Sequence, residues 1–492
     1  MKTVRMLVIL VLVLVGLVGI EAQGVEVYPT GNPAQDVPNI QNAVDLGGNV
    51  LLKATDTDGN PQYFNFGDFG IVGIEKDVVI MGESISETTY PTLPDGRTIS
   101  SDRAVIYGGG NPDAPGRENI RGTLNVYQGS FEISNIRLDS SRYAGIFVLN
   151  CDGVAKPCRI RDNVITYTKP YADTSGWRMY AKSIAIVEGG TLLDGQPIGD
   201  IYGRLYIEDN RIEYNPNLGW ISNVEAISVV HIYTSAAKIY IKGNEIKLHN
   251  QPSSMAKGIG TWDVYAELTI ENNVIDAGTN NASEITGMRL ALTDNALVSG
   301  NIISGQMYSG IYLLASHNVL VEGNAIEHFR PIWSGIPILL EMSQNCTVTE
   351  NELIDVCDFN AGYVPYAGIT ISGYFAPWIP GGVQSNNNTL MRNDYTLSRL
   401  PGLTAQSDGP FCVILEEGTN DNFVDEQGGF PTGTNAKRQV FDGGCYDDYG
   451  TWTTTNRVIG HSANELAQQE DLNPGIGQRL KAIRDASGEL EE

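Results

Sequence analysis

Along most of the chain, apolar and polar residues alternate with a period of two in runs of four to six residues, rich in Ile, Val and Leu. Successive side chains of a strand point to opposite faces, so such runs predict short strands with one buried face. Many runs end in one phrase, a Gly or a polar residue followed by Asn: "RIRDNVI" at Asn163, "LYIEDNRI" at Asn210, "IYIKGNEI" at Asn244 and "LTIENNVI" at Asn273. The phrase continues in "LVSGNII" at Asn301, "LVEGNAI" at Asn324 and "TVTENELI" at Asn351, with weaker copies at Asn393 and Asn422. Successive copies lie 23 to 47 residues apart, the interval of a structural repeat with insertions.

Between one Asn phrase and the next sits another strand, usually opened by Gly: "GIFVLN", "GIGTWD", "GMRLAL", "GIYLLA", "GIPILL" and "GITISG". Each repeat therefore holds three short strands and three turns. The period of two excludes helical repeats, and a propeller blade needs a fourth strand. The pattern describes an all-β parallel β-helix, each coil stacked about 4.8 Å above the last. Its inward columns are expected to include Ile146, Ile184, Ile227, Ile259, Met288, Ile311, Ile336 and Ile369. The recurring Asn is expected at a corner, where it tolerates left-handed backbone and where stacked amides can bond from coil to coil.

The ends read differently. In "DVPNIQNAVDLGGNVLL", Asp36 as N-cap, Pro38 in the first turn and apolar Val37, Ile40 and Val44 predict a capping helix over 36–46. The last stretch, 461–492, carries a Ser462-x-x-Glu465 capping box and helical spacing, which predicts a helical cap or tail. At the start, Lys2 and Arg5 precede an apolar run from Met6 to Ile20, the form of a signal peptide spanning 1–22; an uncleaved anchor is the alternative. The β-helix is then expected over 23–460, with no later membrane-spanning segment.

The "xIxGNxI…GIxL" pattern resembles the right-handed parallel β-helix repeat of the pectin-lyase-like superfamily, over roughly residues 30 to 457. The resemblance implies a right-handed, single-stranded solenoid and a helix plugging the first coil. It also implies a substrate cleft along the face whose strands begin "GIxx". The catalytic signatures of pectate lyases and polygalacturonases are missing; the Asp447-Asp448 pair stands without the other parts of the latter.

Charge narrows the ligand. The chain of 492 residues carries 58 Asp and Glu against 32 Lys and Arg, a formal net charge of −26. A nucleic-acid partner would need a basic footprint, and a polyanionic glycan a bridging cation, so a neutral or weakly charged polysaccharide or cell-surface glycan fits better. Calcium is open as a cofactor: acidic residues abound, but none forms an EF-hand-type loop. Export and six cysteines are consistent with disulfides, Cys151 with Cys158 among the 15 possible full pairings; buried free thiols are the alternative.

Aligning the "GIxx" strands puts Asn150, Glu188, His231 and Asp263 in one column, followed by apolar Leu292, Ala315 and Leu340. Glu188 and Asp263, two coils apart, would be separated by roughly 9 to 10 Å, close to the carboxylate spacing of inverting glycosidases. His231 between them could orient a carboxylate or move a proton. Arg289 beside the column could hold a substrate carboxylate or hydroxyl pair. Trp262 and Tyr312, with Trp177 and Trp220 from long aromatic loops, could stack on sugar rings. The expectation is an exported hydrolase or lyase acting on an extended polysaccharide. The alternative is a non-catalytic surface protein, adhesin or glycan-binding scaffold, in which the polar column is a solvated strand edge.

Overall fold

A computed structural model describes residues 24–110, 122–169, 171–172, 179–188, 200–214, 223–248, 256–278, 285–358, 367–373, 384–399, 411–426, 440–442, 445–446 and 452–459. The expected signal segment, the C-terminal tail, Trp177, Trp220 and Asp447-Asp448 lie outside the described residues.

The alternating runs fold into three stacks of parallel strands. One is a sheet of 14 strands, from Val25–Val27 to Arg457–Val458, neighbours in the sheet coming from successive coils. Its register carries one buried aliphatic side chain per coil: Ile133, Ile160, Ile207, Ile241, Ile270, Val298, Val321, Val348, Leu390, Val424 and Val458. The other two faces meet in the long strands Ile302–Leu314 and Ala325–Glu341, which run through a corner unbroken. Each further buried methylene on this inner surface contributes about 0.8 kcal/mol, so columns of identical branched residues hold the register.

The inward column of the "GIxx" face runs Ile146, Ile184, Ile227, Ile259, Met288, Ile311, Ile338 and Ile369. Ile338 stands where Ile336 was expected. Met307 pairs with Pro331 but Ser309 with Ile336, so extra residues slip the frame before the inward strand begins. The same slip puts Met342, not Leu340, above Ala315 in the column that begins with Glu188.

The Asn corner is a continuous amide ladder. Nδ2 of Asn163, Asn210, Asn244, Asn273, Asn301, Asn324 and Asn351 each donates to Oδ1 of the next Asn, at 2.8 to 3.0 Å, ending on Asn393. That Oδ1 also accepts the preceding rung's backbone N–H. The left-handed residue is the one before each rung, Asp162, Asp209, Gly243, Asn272, Gly300, Gly323, Glu350 or Arg392, rather than the rung itself. Asn422 belongs to a second ladder with Asn388 and Asn456. Beyond Asn393 the first ladder ends on the buried Glu426, which accepts from Asn393 N and Nδ2 and from Tyr395 OH.

The capping helix spans Pro33–Leu46, three residues earlier than expected, because Asn32 caps it by accepting from Ala34 N at 3.1 Å. Asp36 sits inside the first turn, fully buried, and binds Thr30 N, Thr30 Oγ1 and Asn65 N. Ile40, Ala43 and Val44 close the first coil. Cys151, Cys158, Cys346 and Cys412 are buried free thiols packed in the core, so no disulfide joins these four. No helix among the described residues is long and apolar enough to cross a membrane.

Candidate functional site

The outer surface of the "GIxx" face is polar at both ends of its strands. Two residues before each inward Ile lies a charged column, Lys182, Glu225 and Lys257 on three successive coils. Glu225 takes Lys257 Nζ at 3.0 Å and Lys182 Nζ at 3.3 Å, and Lys182 also donates to Ser228 Oγ at 2.8 Å. Gly260 leaves the room: a Cβ there would sit 3.0 Å from Glu225 Cδ. Burial works to raise the Glu225 carboxyl, but the two lysines outweigh it and hold the acid well below the usual carboxylate range. Burial pushes Lys257 down, with Glu225 opposing and Arg289 adding to the shift.

In mid-strand, Ser228, Gly260, Arg289 and Tyr312 form one outward column. The Arg289 guanidinium lies 5.5 Å from the Tyr312 ring centroid, and Tyr312 OH donates to Glu341 Oε1 at 3.0 Å. Arg289 and Tyr312 thus share a half-buried contact beside the charged column.

At the strand ends, Glu188, His231 and Asp263 do stack on three coils, since Val187 pairs with Val230 and Val230 with Trp262. Their side chains part company. Glu188 turns inward and is buried, accepting from the backbone N–H groups of Ile201, Tyr233 and Thr234. Its oxygens hold the neighbouring turns in place. His231 and Asp263 take left-handed backbone, φ 57° and 61°, and meet outside: His231 Nδ1 lies 3.3 Å from Asp263 Oδ2.

Two residues on, Tyr233 completes the group. Its hydroxyl donates to Asp263 Oδ2 at 2.8 Å and lies 3.1 Å from His231 Nδ1. With the tyrosine hydroxyl directed at Asp263, an Nδ1–H imidazole can donate to the same carboxylate, which turns Nε2 toward the open side as the acceptor. The rings around it are open to solvent: Tyr233 is 57% exposed, Tyr265 43% and Trp262 37%. Tyr233 stacks on His231 at 5.9 Å and on Tyr265 at 6.3 Å between centroids. Burial, then the bond to Asp263, pushes the Tyr233 hydroxyl up to about 12, so it stays a donor at neutral pH.

Of the expected site residues, the corner brings together His231, Asp263 and Trp262, while Arg289 and Tyr312 lie in mid-strand and Glu188 is buried against backbone amides. Tyr233, Tyr265 and the Lys182–Glu225–Lys257 group were not anticipated. Among the described residues no three His, Cys, Asp or Glu side chains come together as metal ligands.

Residues 228–400, which include this corner, match the family described as "Right handed beta helix region". The chain is a right-handed parallel β-helix. Solved structures similar to this β-helix include the Dettilon tailspike protein, 14% identical, with 79% of this chain and 64% of the tailspike covered and a TM-score of 0.42. The A-module of the Azotobacter vinelandii mannuronan C-5 epimerase AlgE4 is 13% identical, with 82% and 92% covered and a TM-score of 0.37. DFA-IIIase from Arthrobacter chlorophenolicus A6, in complex with DFA-III, is 14% identical, with 88% and 97% covered and a TM-score of 0.44. The chain thus spans just under two thirds of the tailspike. No sequence among the curated proteins matches this β-helix.

Proposed function

We propose that this β-helix is an exported carbohydrate-active protein that holds a linear glycan against the Tyr233–Trp262–Tyr265 corner and acts on it with His231 as general acid–base. One observation carries the reading: a hydrogen-bonded His231–Asp263–Tyr233 group set among exposed aromatic rings. Sugar faces stack on such rings, and their hydroxyls pair with the carboxylate and imidazole. Asp263 orients the ring and steadies the imidazolium that forms when Nε2 takes a proton. This role needs no second carboxylate, which Glu188 does not supply.

The test incubates residues 23–492 with plant, algal and microbial polysaccharides, with and without calcium, following reducing ends and the ultraviolet absorbance of unsaturated ends together. Reducing ends alone identify a hydrolase, and both signals a lyase. His231→Ala is expected to slow turnover about 10²–10⁴-fold, the usual contribution of a positioned acid–base group. The involvement of Glu188 in backbone bonds also favours a second reading, a glycan-binding scaffold without turnover. That reading holds if glycans bind, Trp262→Ala weakens them and no bond is cut. Failure of every glycan to bind would overturn both.

A further inference from the structure

The corner does not stop at Tyr265. Register carries the same position through Tyr233, Tyr265, Asp294, His317 and Gln344, one residue on each of five successive coils. Their backbone N–H groups repeat one bond, Tyr265 N to Ile232 O, Asp294 N to Val264 O, His317 N to Thr293 O and Gln344 N to Ser316 O, at 2.8 to 3.0 Å. In the middle of this strip lies a second histidine–carboxylate pair, with His317 Nδ1 3.0 Å from Asp294 Oδ1 and both side chains more than a quarter exposed.

The strip stands on a fixed floor. Beneath it Ser316 Oγ accepts from Thr293 N, Ser343 Oγ from Ser316 N and Ser385 Oγ from Ser343 N, a buried hydroxyl ladder at 3.2 to 3.3 Å. Ala315 and Met342 pack beside it. A row of side chains held on strands loses little freedom when a ligand binds, which is the condition for a preformed site. Five coils span four intervals, roughly 19 Å at about 4.8 Å each.

We propose that Asp294, His317 and Gln344 form a distal subsite continuing the aromatic corner, and that the strip binds an uncharged, hydroxyl-rich linear glycan lying along the helix axis. This rests on the glycan reading of the corner above. The character of the ligand follows from the side chains: Asp263 and Asp294 accept hydroxyl protons, His317 and Gln344 exchange hydrogen bonds in either direction, and the two rings stack. Carboxylates at Asp263 and Asp294 repel a polyuronate along the same path.

The experiment measures, by titration calorimetry on the full chain, the affinity for graded cello-, xylo- and malto-oligosaccharides and for oligogalacturonates. Affinity for one neutral series is expected to rise with length until the ligand spans the strip. His317→Ala and Asp294→Asn then weaken the long members about tenfold, one hydrogen bond each, and leave the short members unchanged. Unchanged binding of the short members also reports an intact fold. Length-independent affinity, long members indifferent to both variants, or oligogalacturonates bound as tightly as the neutral series would each overturn the subsite while leaving the corner itself standing. No binding of any series to the wild-type chain would overturn both.

Discussion

Asn273→Asp isolates what the amide ladder does, because it exchanges one NH₂ for one oxygen and leaves shape unchanged. In the native ladder Oδ1 of Asn273 accepts from Asn244 N and Nδ2, at 3.0 and 2.9 Å. Its Nδ2 donates to Ile241 O, Glu271 O and Asn301 Oδ1, at 2.9 to 3.1 Å. A carboxylate keeps the accepted bonds and loses every donated one, placing an oxygen against three acceptors in a site with no solvent access. Asn301 Oδ1 and Glu271 O keep the bonds from Asn273 N and Gly243 N, so the cost comes from a buried carboxylate with no counter-charge, about 3–5 kcal/mol at neutral pH. Protonation returns one donor, so the aspartate's folded-state pKa rises above its unfolded value of about 3.9. The penalty from ionisation is then absent below that value and grows as pH rises toward the folded pKa. A solenoid opens locally, so the assay is amide hydrogen exchange on the coils around residues 241, 273 and 301, at pH 5 and pH 8. Local protection is expected to fall roughly 200- to 4,000-fold at the higher pH and less at the lower. A loss below tenfold at pH 8, or one that does not ease on acidification, would refute the argument that each internal rung must donate.

The end of the ladder supplies the converse case. Glu426 only accepts, and burial raises its carboxyl above the ordinary value despite the Asn393 and Tyr395 bonds. Its contribution therefore favours low pH and is lost as pH rises from about 4.5; Glu426→Gln should gain melting temperature relative to wild type between pH 5 and pH 7.5, and a constant difference across that range would count against a raised carboxyl. Glu225→Gln removes the carboxylate that Lys182 and Lys257 share and is expected to cost about 3–5 kcal/mol in denaturant melts, whereas replacing Lys182, Glu225 and Lys257 together by apolar residues of similar size should cost less. Because the lysines hold Glu225 low, its stabilisation is present above about pH 4.5 and disappears as pH falls through the depressed folded value, so the wild-type advantage over Glu225→Gln should shrink in acid.

How far such columns can be read from sequence depends on the frame between corners. The spacing from the Asn corner to the inward residue varies from 10 to 21 residues, but Ile184, Ile227, Ile259, Met288 and Ile311 still align, because each opens a short run of alternating apolar residues. The frame failed in Ala325–Glu341, where Gly335-Ile336 imitates the opening of the inward strand but register puts Ile338 in its place. Glu188 shows a different limit. Its column was legible, but its direction depends on amides of Ile201, Tyr233 and Thr234, brought in from other strands and invisible to any local pattern. Left-handed backbone at His231 and Asp263, absent at Glu188, then turns their side chains outward.

The exposed strip, by contrast, lay within reach of the same alignment. Moving two residues beyond His231, Asp263, Leu292 and Ala315 gives Tyr233, Tyr265, Asp294 and His317; Gln344 follows only once register puts Met342 in the place of Leu340. The matching step before the inward Ile184, Ile227 and Ile259 gives Lys182, Glu225 and Lys257. Both columns lie on the outer surface of the face, and both set complementary groups on successive coils, Lys182–Glu225–Lys257 in one and Asp294–His317 in the other. In a stack where neighbours are about 4.8 Å apart, every side chain's nearest partners are its equivalents one coil above and below. Complementary charge at the same position of consecutive repeats is thus a direct sign of contact in a β-helix. The buried column answers a folding requirement, since unlike charges must pair away from water. The outer pairs, His231–Asp263 and His317–Asp294, stand half in solvent, where such pairing contributes little to stability. Their recurrence on the exposed corner is better accounted for by a ligand than by the fold.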